Sequence, residues 1–264
     1  MNPIKERKPI KYLAVENISF DRLACTNSRF FHNRHLSIIL NDKPLNTASL
    51  QKEIIYHVAE ARLILILKGC VEVNLNLEDQ YIEQGHVLLL PADSIMELKE
   101  CSDDLEVIAF IIREKLLIDE SLVFPASPKD FQQLLKMTYL IWDLTQHTPF
   151  RKDVVLPIVQ AMVANILCIY KEMNATTVTD TATRQQQLFQ NFKRLVQQYC
   201  ELHRNIPFYA EQLHITPHYL SAVTKEASGQ SVMFWINRAI ILRAKVLLNT
   251  KNMMINEIAD RLNF

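Results

Sequence analysis

Residues 207–229 read PFYAEQLHITPHYLSAVTKEASG, and this stretch decides the fold of the C-terminal third of the chain. Its apolar residues recur at spacings of three and four on both sides of a short break, which predicts two helices joined by a tight turn. Thr216 stands where a helix N-cap belongs, Pro217 follows at the first helical position, and Gly229 supplies a left-handed stop. The pattern is typical of a helix-turn-helix, although an αα-hairpin in another helical domain carries the same signals.

The predicted helices have a buried face and an outer face. The expected core residues of the helix-turn-helix are Tyr209, Ala210, Leu213, Leu220, Val223, Trp235 and Ile236. The spacing also places Thr224 and Ala227 on the buried stripe of the second helix. The outer face of that helix carries His218, Ser221, Ala222 and Lys225. A helix-turn-helix holds such a face in the major groove of DNA.

The residues after Gly229 extend the pattern. A long apolar-striped helix is predicted over 231–249, and residues 255–262 repeat the core spacing of a first helix-turn-helix helix. In this order, residues 184–264 resemble the DNA-binding domain of AraC-type transcriptional regulators, in which a linker helix joins two helix-turn-helix units. The residues that carry the resemblance are Tyr209-Ala210, Leu213, Thr216-Pro217, Tyr219-Leu220-Ser221, Lys225, Ser228-Gly229, Trp235-Ile236, Ala244-Lys245, Leu247-Leu248, Ile258-Ala259 and Leu262-Asn263-Phe264.

The resemblance implies roles for single residues in DNA binding. The base-facing positions are His218, Ser221, Ala222 and Lys225. The expected phosphate contacts, which position the protein without reading sequence, are Thr216, Tyr219 and Arg243, and Lys225 of the base-facing set is expected to contact phosphate as well. Ala222 departs from the family, which often has a long polar or basic side chain there. Because an alanine can contact only a thymine methyl group, we expect modest direct readout.

The sequence ends at Phe264, where the family continues through a turn into a second recognition helix. By the resemblance, the domain is cut short in its second unit and lacks its last helices. Each bidentate base contact that is lost removes about 1–3 kcal/mol of discrimination. We therefore expect this form to bind DNA weakly, and we expect Leu262 and Phe264 to lack their usual cover.

Charge is distributed unevenly along the chain. The 264 residues include 29 Lys and Arg and 29 Asp and Glu, so the formal net charge is zero. Residues 182–264 nevertheless hold ten basic and five acidic residues. A basic C-terminal part on an acidic N-terminal part is typical of a nucleic-acid-binding module joined to a domain that need not touch DNA.

Glycine and cysteine usage excludes several functional classes. Gly69, Gly85 and Gly229 are the only glycines, too few for a P-loop or a dinucleotide-binding fingerprint. The five cysteines are scattered without metal-ligand spacing, which is typical of a reduced, cytoplasmic protein. We find no signal peptide and no uninterrupted membrane-spanning run, and we expect no membrane partner.

The N-terminal half shows short runs with strand character. The candidate strands are 35–40, 54–58, 62–67, 71–77, 81–82, 87–90, 95–98 and 105–112. Many short strands separated by turn signals predict a small antiparallel barrel or sandwich over residues 1–128. AraC-type regulators usually have a cupin-like sensor barrel in this position, and Gly85 with Pro91 resembles the second cupin motif. The metal-binding histidine of that motif falls at Met96, so we expect no metal, no cofactor and no catalytic residue.

From Lys129 the apolar spacing becomes helical. Residues 129–173 are predicted to form a helical pair, which most simply packs on the barrel and which mediates dimerisation in the family. The polar, Thr-rich stretch 174–183 is the expected linker, and residues 184–264 form the DNA-binding domain. The predicted fold class is α+β: an antiparallel β-barrel with a helical pair, then an all-α helix-turn-helix domain.

These features predict a cytoplasmic, sequence-specific DNA-binding transcription regulator, and they disfavour a metal-dependent cupin enzyme. The expected partners are double-stranded DNA, a second copy of the chain, RNA polymerase and a small-molecule effector whose contact residues the sequence leaves open. We expect an activator, and the sequence itself leaves activation and repression open. The alternative is a sensor and dimerisation fragment without effective specific DNA binding, which follows if the end at Phe264 is natural.

Overall fold

The computed structural model describes residues 10–13, 29–40, 55–75, 78–116, 118, 121–175, 181–249 and 253–263. The chain divides into two compact units, Met1–Thr176 and Thr177–Phe264. Among the described residues, the first unit holds strands and two helices, and the second holds helices alone. The structure is therefore of mixed α and β type, in the order that the sequence predicts.

The first unit is built from two β-sheets. Its strands are β1 (Ile10–Leu13), β2 (Arg29–His32), β3 (Leu36–Leu40), β4 (Ile55–Val58), β5 (Ala61–Lys68), β6 (Cys70–Leu75), β7 (Glu78–Glu83), β8 (His86–Leu90), β9 (Ser94–Cys101), β10 (Glu106–Ile112) and β11 (Leu122–Pro125). One sheet has the order β1-β4-β9-β6-β7 and the other β11-β8-β5-β10-β3-β2. Among these strands the β1–β4 pair is parallel and the other pairs are antiparallel. No ladder joins the two sheets within the described ranges, so antiparallel sheets are confirmed and a closed barrel is not shown.

Apolar side chains of both sheets meet in a first core. Strand β6 shows why the sequence folds in this way, because its buried residues Val71, Val73 and Leu75 alternate with half-buried ones. An alternating strand of this kind has one face buried. Residues 76 and 77, the end of the predicted strand, lie outside the described residues. The core includes Tyr56, Val58, Ile66, Val71, Val73, Leu75, Ile82, Leu88, Leu90, Met96, Leu98, Leu105 and Val107.

A second core lies on the other face of the six-stranded sheet. It is covered by helices α1 (Pro128–Thr145) and α2 (Lys152–Ala175). Ser127 caps α1, since its side chain accepts a hydrogen bond from the Asp130 N–H at 3.2 Å. Helix α2 is long and apolar enough to cross a membrane by length and composition. Its inner side nevertheless packs in this core through Val155, Val159, Met162 and Ile166.

The second unit contains helices α3 (Thr181–Tyr199), α4 (Ile206–Gln212), α5 (Pro217–Ser228), α6 (Val232–Asn249) and α7 (Ile255–Arg261). Helix α2 ends at Ala175, two residues into the predicted linker 174–183, and α3 begins at Thr181, before the predicted linker ends. The remaining linker residues, 176–180, lie outside the described residues, as do Phe264 and Cys25.

Candidate DNA-binding surface

Helices α4 and α5 form a helix-turn-helix whose ends match the sequence prediction. Thr216 is the N-cap of α5, and its hydroxyl accepts a hydrogen bond from the Tyr219 N–H at 3.2 Å. Gly229 ends α5 with a φ of 69°, in the left-handed region that suits glycine. In the turn, His214 has a φ of 55°, and the Ile215 N–H donates to the Ala210 carbonyl at 3.0 Å. Local signals therefore fix this turn.

The core under α4 and α5 contains most of the predicted residues. Tyr209, Ala210, Leu220, Val223, Trp235 and Ile236 are all buried, whereas Leu213 is half-buried. The Tyr209 hydroxyl donates to the His203 carbonyl at 2.7 Å, and its ring meets the Phe192 ring edge-on at 5.8 Å. Burial also raises the pKa of Tyr209 above its usual value. This tyrosine therefore anchors α4 to α3 and stays un-ionised.

All four predicted base-facing residues, His218, Ser221, Ala222 and Lys225, are exposed on α5. They lie at spacings of three and four, opposite the buried Leu220 and Val223. The Ser221 hydroxyl donates to the Pro217 carbonyl at 2.9 Å, and the Lys225 ammonium donates to the Gly229 carbonyl at 2.7 Å. The four side chains therefore face solvent, and two of them, Ser221 and Lys225, hydrogen-bond to backbone carbonyls at the ends of α5.

The three predicted phosphate contacts lie in different environments. Thr216 is exposed but uses its hydroxyl as the helix cap, and the Tyr219 side chain is 43% exposed. Arg243 lies on α6, where its Nε is 3.4 Å from a carboxylate oxygen of Glu201. The same carboxylate is 3.6 Å from the Nε of Arg261 on α7. Arg243 therefore contributes to an ion-pair network that joins α6 and α7 to Glu201, two residues after the end of α3.

Two burial predictions were wrong. Ala227 is exposed, because the last turn of α5 meets α6 through Ser228, whose hydroxyl accepts from the Trp235 indole at 3.0 Å. Leu262 is fully buried although the sequence stops two residues later.

Sequence spacing missed several polar residues of this unit. Gln185 on α3 donates to a carboxylate oxygen of Glu226 on α5 at 3.2 Å, which places the start of α3 beside the exposed side of α5. Lys193 is buried, with its ammonium 4.7 Å from the centre of the Phe189 ring. Burial lowers the pKa of Lys193 to about 8. The position of Lys193 among apolar residues of a helix can be noticed in the sequence. The partner of Gln185 is 41 residues away, so no local sequence pattern indicates their contact.

His57 and His86 of the first unit each lie beside a protein oxygen atom. The Nε2 of His57 is 3.1 Å from a carboxylate oxygen of Asp93, and the Nδ1 of His86 is 3.0 Å from the carbonyl oxygen of Glu83. Within the described ranges, no three His, Cys, Asp or Glu side chains are grouped so that they could hold a metal ion.

Comparison with known proteins gives distant structural likenesses. No protein-family model and no curated protein sequence matches the chain. A crystal structure of apo ToxT from Vibrio cholerae strain SCE256, carrying a single substitution, is similar at a TM-score of 0.38 and 15% identity, covering 88% of this chain and 90% of that one. The AraC-like transcriptional activator CuxR is similar at a TM-score of 0.37 and 13% identity, covering 82% and 79%.

A further likeness covers only part of the chain. A putative mannose-6-phosphate isomerase from Ralstonia eutropha JMP134 matches 33% of this chain and 86% of its own, at a TM-score of 0.26 and 11% identity. TM-scores as low as these three do not assign a function. The functional argument therefore rests on the residues of α4, α5 and their core.

Proposed function

We propose that this chain is a transcription regulator of the AraC type that binds double-stranded DNA through the outer face of α5. One observation supports this proposal above the others: α5 is capped at both ends, buried on one side, and exposes His218, Ser221, Ala222 and Lys225 on the other. A helix held in this way at the second position of a helix-turn-helix enters the major groove. Residues 182–264 also carry more basic than acidic residues, and this positive charge favours binding to the phosphate backbone of DNA.

The exposed groups of α5 have separate roles in this proposal. His218 and Ser221 read base edges, and Ala222 contacts a thymine methyl group. Lys225 gives up its bond to the Gly229 carbonyl and binds DNA in its place, at small cost because that bond is exposed. Tyr219 and Thr216 contact the phosphate backbone near the start of the helix.

The decisive experiment measures DNA binding by fluorescence anisotropy across a series of salt concentrations. The two duplexes are the region upstream of the chain's own gene and a random sequence of equal composition. We expect the upstream duplex to bind tighter by about 10³ or more. Equal and steeply salt-dependent binding to both would contradict specific recognition. That result would favour the alternative, a sensor and dimerisation fragment without effective specific DNA binding.

Two variants separate the roles of the α5 residues in the same assay. Lys225→Gln should weaken binding to both duplexes and reduce the salt slope by about one. His218→Ala should weaken binding to the upstream duplex alone, by about 1–3 kcal/mol. Lys171→Gln is the matched control, because it removes an exposed lysine from α2 in the first unit. The proposal fails if this control has the same effect as Lys225→Gln.

We also propose that the first unit provides dimerisation and effector binding, and that the dimer acts in the cytoplasm as an activator in contact with RNA polymerase. Dimerisation is supported by large apolar side chains on the outer sides of α1 and α2. Tyr139, Leu140 and Val154 are 42%, 50% and 44% exposed. Sedimentation equilibrium of Leu140→Glu and Val154→Glu tests this. We expect a shift from dimer to monomer, and a monomeric unsubstituted chain would overturn the proposal.

A further inference from the structure

Helix α6 is apolar on two sides, and one of these sides is exposed. The helix contacts α3, α5 and α7, and Ile236 and Ala239 on its inner side are buried. On its outer side, Phe234, Ile241 and Leu248 are 38%, 52% and 51% exposed. A helix that is apolar all round is usually packed all round, and contiguous exposed apolar residues mark interaction sites. The outer side of α6 therefore has the character of a contact surface.

The exposed apolar residues of α6 follow a seven-residue repeat. Phe234, Ile241 and Leu248 are seven residues apart, and Asn237 and Ala244 come three residues after the first two. These are the first and fourth positions of a heptad, along which two helices pair in a coiled coil. We call these five residues the α6 seam. At 1.5 Å per residue the α6 seam is about 21 Å long.

The polar residue in the α6 seam favours a protein partner over a lipid surface. Asn237 is exposed in the seam, between Phe234 and Ile241. Between two paired helices, an asparagine at such a position fixes the register of the partner. Among lipid tails, its amide would lose its hydrogen bonds to water without replacement. The repeat and the asparagine together point to another helix.

The charges beside the α6 seam are all positive. Arg238 and Lys245 are also seven residues apart and hold the heptad position next to the seam, from which ion pairs form between helices. The Arg238 guanidinium lies 5.9 Å from the centre of the Phe234 ring, so its charge is beside the start of the seam. Helix α6 contains no Asp or Glu. A second copy of α6 would add only further cations, whereas an acidic helix provides complementary charge.

We propose that the α6 seam docks an amphipathic helix of another protein, one with a heptad row of apolar residues and acidic side chains next to it. Because the inner side of α6 is already packed in its own unit, only the partner helix has to be ordered on binding. A contact of two heptads is small, so the complex is weak and reversible. The surface lies on α6 and not on α5, so this inference does not depend on DNA binding.

The test uses synthetic probes and the full chain, without DNA. Two labelled helical peptides share the same seam of isoleucine and leucine, and one is flanked by glutamates and the other by lysines. Fluorescence anisotropy measures the binding of each peptide. Vesicles of phosphatidylglycerol and phosphatidylcholine, measured by co-sedimentation, form a third arm. Sedimentation equilibrium measures self-association of the chain.

We expect the glutamate-flanked peptide to bind tighter than the lysine-flanked peptide by about tenfold or more. Ile241→Gln should weaken its binding by about tenfold or more, because the contact loses a buried apolar side chain. Leu202→Gln, at an exposed leucine outside α6, is the matched control and should change binding by less than about twofold.

A charge reversal tests the acidic character of the partner. Lys245→Glu should reduce the preference for the glutamate-flanked peptide by about tenfold. Arg194→Glu makes the same charge change at an exposed position on α3 and should leave the preference within about twofold. Circular dichroism establishes that each variant is folded, and Leu248→Gln replaces Ile241→Gln if the latter is not.

The proposal is overturned if neither peptide binds, if both bind equally, or if Leu202→Gln weakens binding as much as Ile241→Gln. Vesicle binding that Ile241→Gln abolishes, without peptide binding, would assign the α6 seam to a membrane. A dimer that Ile241→Gln dissociates and Leu202→Gln does not would assign it to a second copy of the chain. Either of these two results also overturns the proposal.

Discussion

The indole N–H of Trp235 donates a hydrogen bond to the hydroxyl oxygen of Ser228 at 3.0 Å. The same hydroxyl donates to the Thr224 carbonyl at 2.7 Å and accepts from the Gln230 N–H at 3.2 Å. One serine side chain therefore connects the last turn of α5, the bend after Gly229 and the first turns of α6. It sets the direction in which α6 leaves the helix-turn-helix.

Ser228→Ala should lower the free energy of unfolding of the second unit by roughly 1–3 kcal/mol, because it leaves the largely buried Trp235 N–H without this acceptor. Urea unfolding followed by tryptophan fluorescence measures this. A Trp142→Phe background leaves Trp235 as the only tryptophan. Ser221→Ala is the control, since its hydroxyl bonds an exposed carbonyl at the start of α5. Equal losses in the two variants would mean that Ser228 has no special role.

Thr216→Ala should destabilise the second unit by about 1 kcal/mol, because the Tyr219 N–H loses its capping oxygen. Thr216→Ser keeps that oxygen and should stay within a few tenths of a kcal/mol of the unsubstituted chain. The same fluorescence-detected urea titration compares the two. A loss in the serine variant as large as that in the alanine variant would assign the effect to the methyl group.

Gly229→Ala should cost about 1 kcal/mol of stability, because Gly229 has a left-handed φ of 69°. A Cβ atom at this position would meet nothing within 4 Å, so the cost is conformational rather than steric. Gly229→Asn should cost less, since asparagine tolerates this region better than alanine. Thermal unfolding of the two variants gives the comparison, and a more stable alanine variant would contradict the argument.

The buried ammonium of Lys193 should make the second unit more stable as the pH rises from about 8 toward 10.5. Its pKa is about 8 in the folded chain and has its ordinary value of 10.5 when exposed on unfolding. In this interval the folded state has released a proton that the unfolded state still binds, so stability rises with pH. Below pH 8 both states are protonated and the contribution is constant.

Lys193→Met tests that assignment, because it removes the ionisable group and keeps an apolar stem. We expect the variant to exceed the unsubstituted chain in stability at pH 7, and the difference to shrink between pH 8 and 10. Lys225→Met, at an exposed position on α5, is the control and should show no such trend. A constant difference between Lys193→Met and the unsubstituted chain over that interval would refute the prediction.

Glu201→Gln should strengthen DNA binding on both specific and random duplexes. The change removes a negative charge and releases Arg243 and Arg261 from their shared carboxylate, so both cations become available to phosphate. Because these ion pairs are partly exposed, the accompanying loss of stability should be at most about 1 kcal/mol. Anisotropy at two salt concentrations should show a steeper salt dependence than in the unsubstituted chain. An unchanged slope would mean that Arg243 does not approach the DNA backbone.

The helix-turn-helix could be predicted because its signals are local. Thr216, Pro217 and Gly229 specify their own backbone conformations, and the apolar spacing specifies which side of each helix is buried. Most strands of the first unit were also visible as short apolar runs. Strands β1, β2 and β11 were not, since each has only four residues and is defined by its pairing with β4, β3 and β8 respectively.

Features that depend on distant residues escaped prediction for a physical reason. The cover of Leu262, the exposure of Ala227 and the carboxylate of Glu201 between two helices are all decided by which helices meet. The surroundings of Arg62 are a similar case, because Arg62 and Ile111 become neighbours only through the register of β5 and β10. Within β5 alone, Arg62 is simply a charge at the start of an apolar run.

The six-stranded sheet is a single layer of strands with an apolar core on each face. Leu63 and Leu65 pack in the core under helices α1 and α2, while Arg62 and Ile64, alternating with them on the same strand, face the first core. Strand β5 therefore separates two packed cores, and a substitution that shifts its backbone toward one core must also displace side chains in the other.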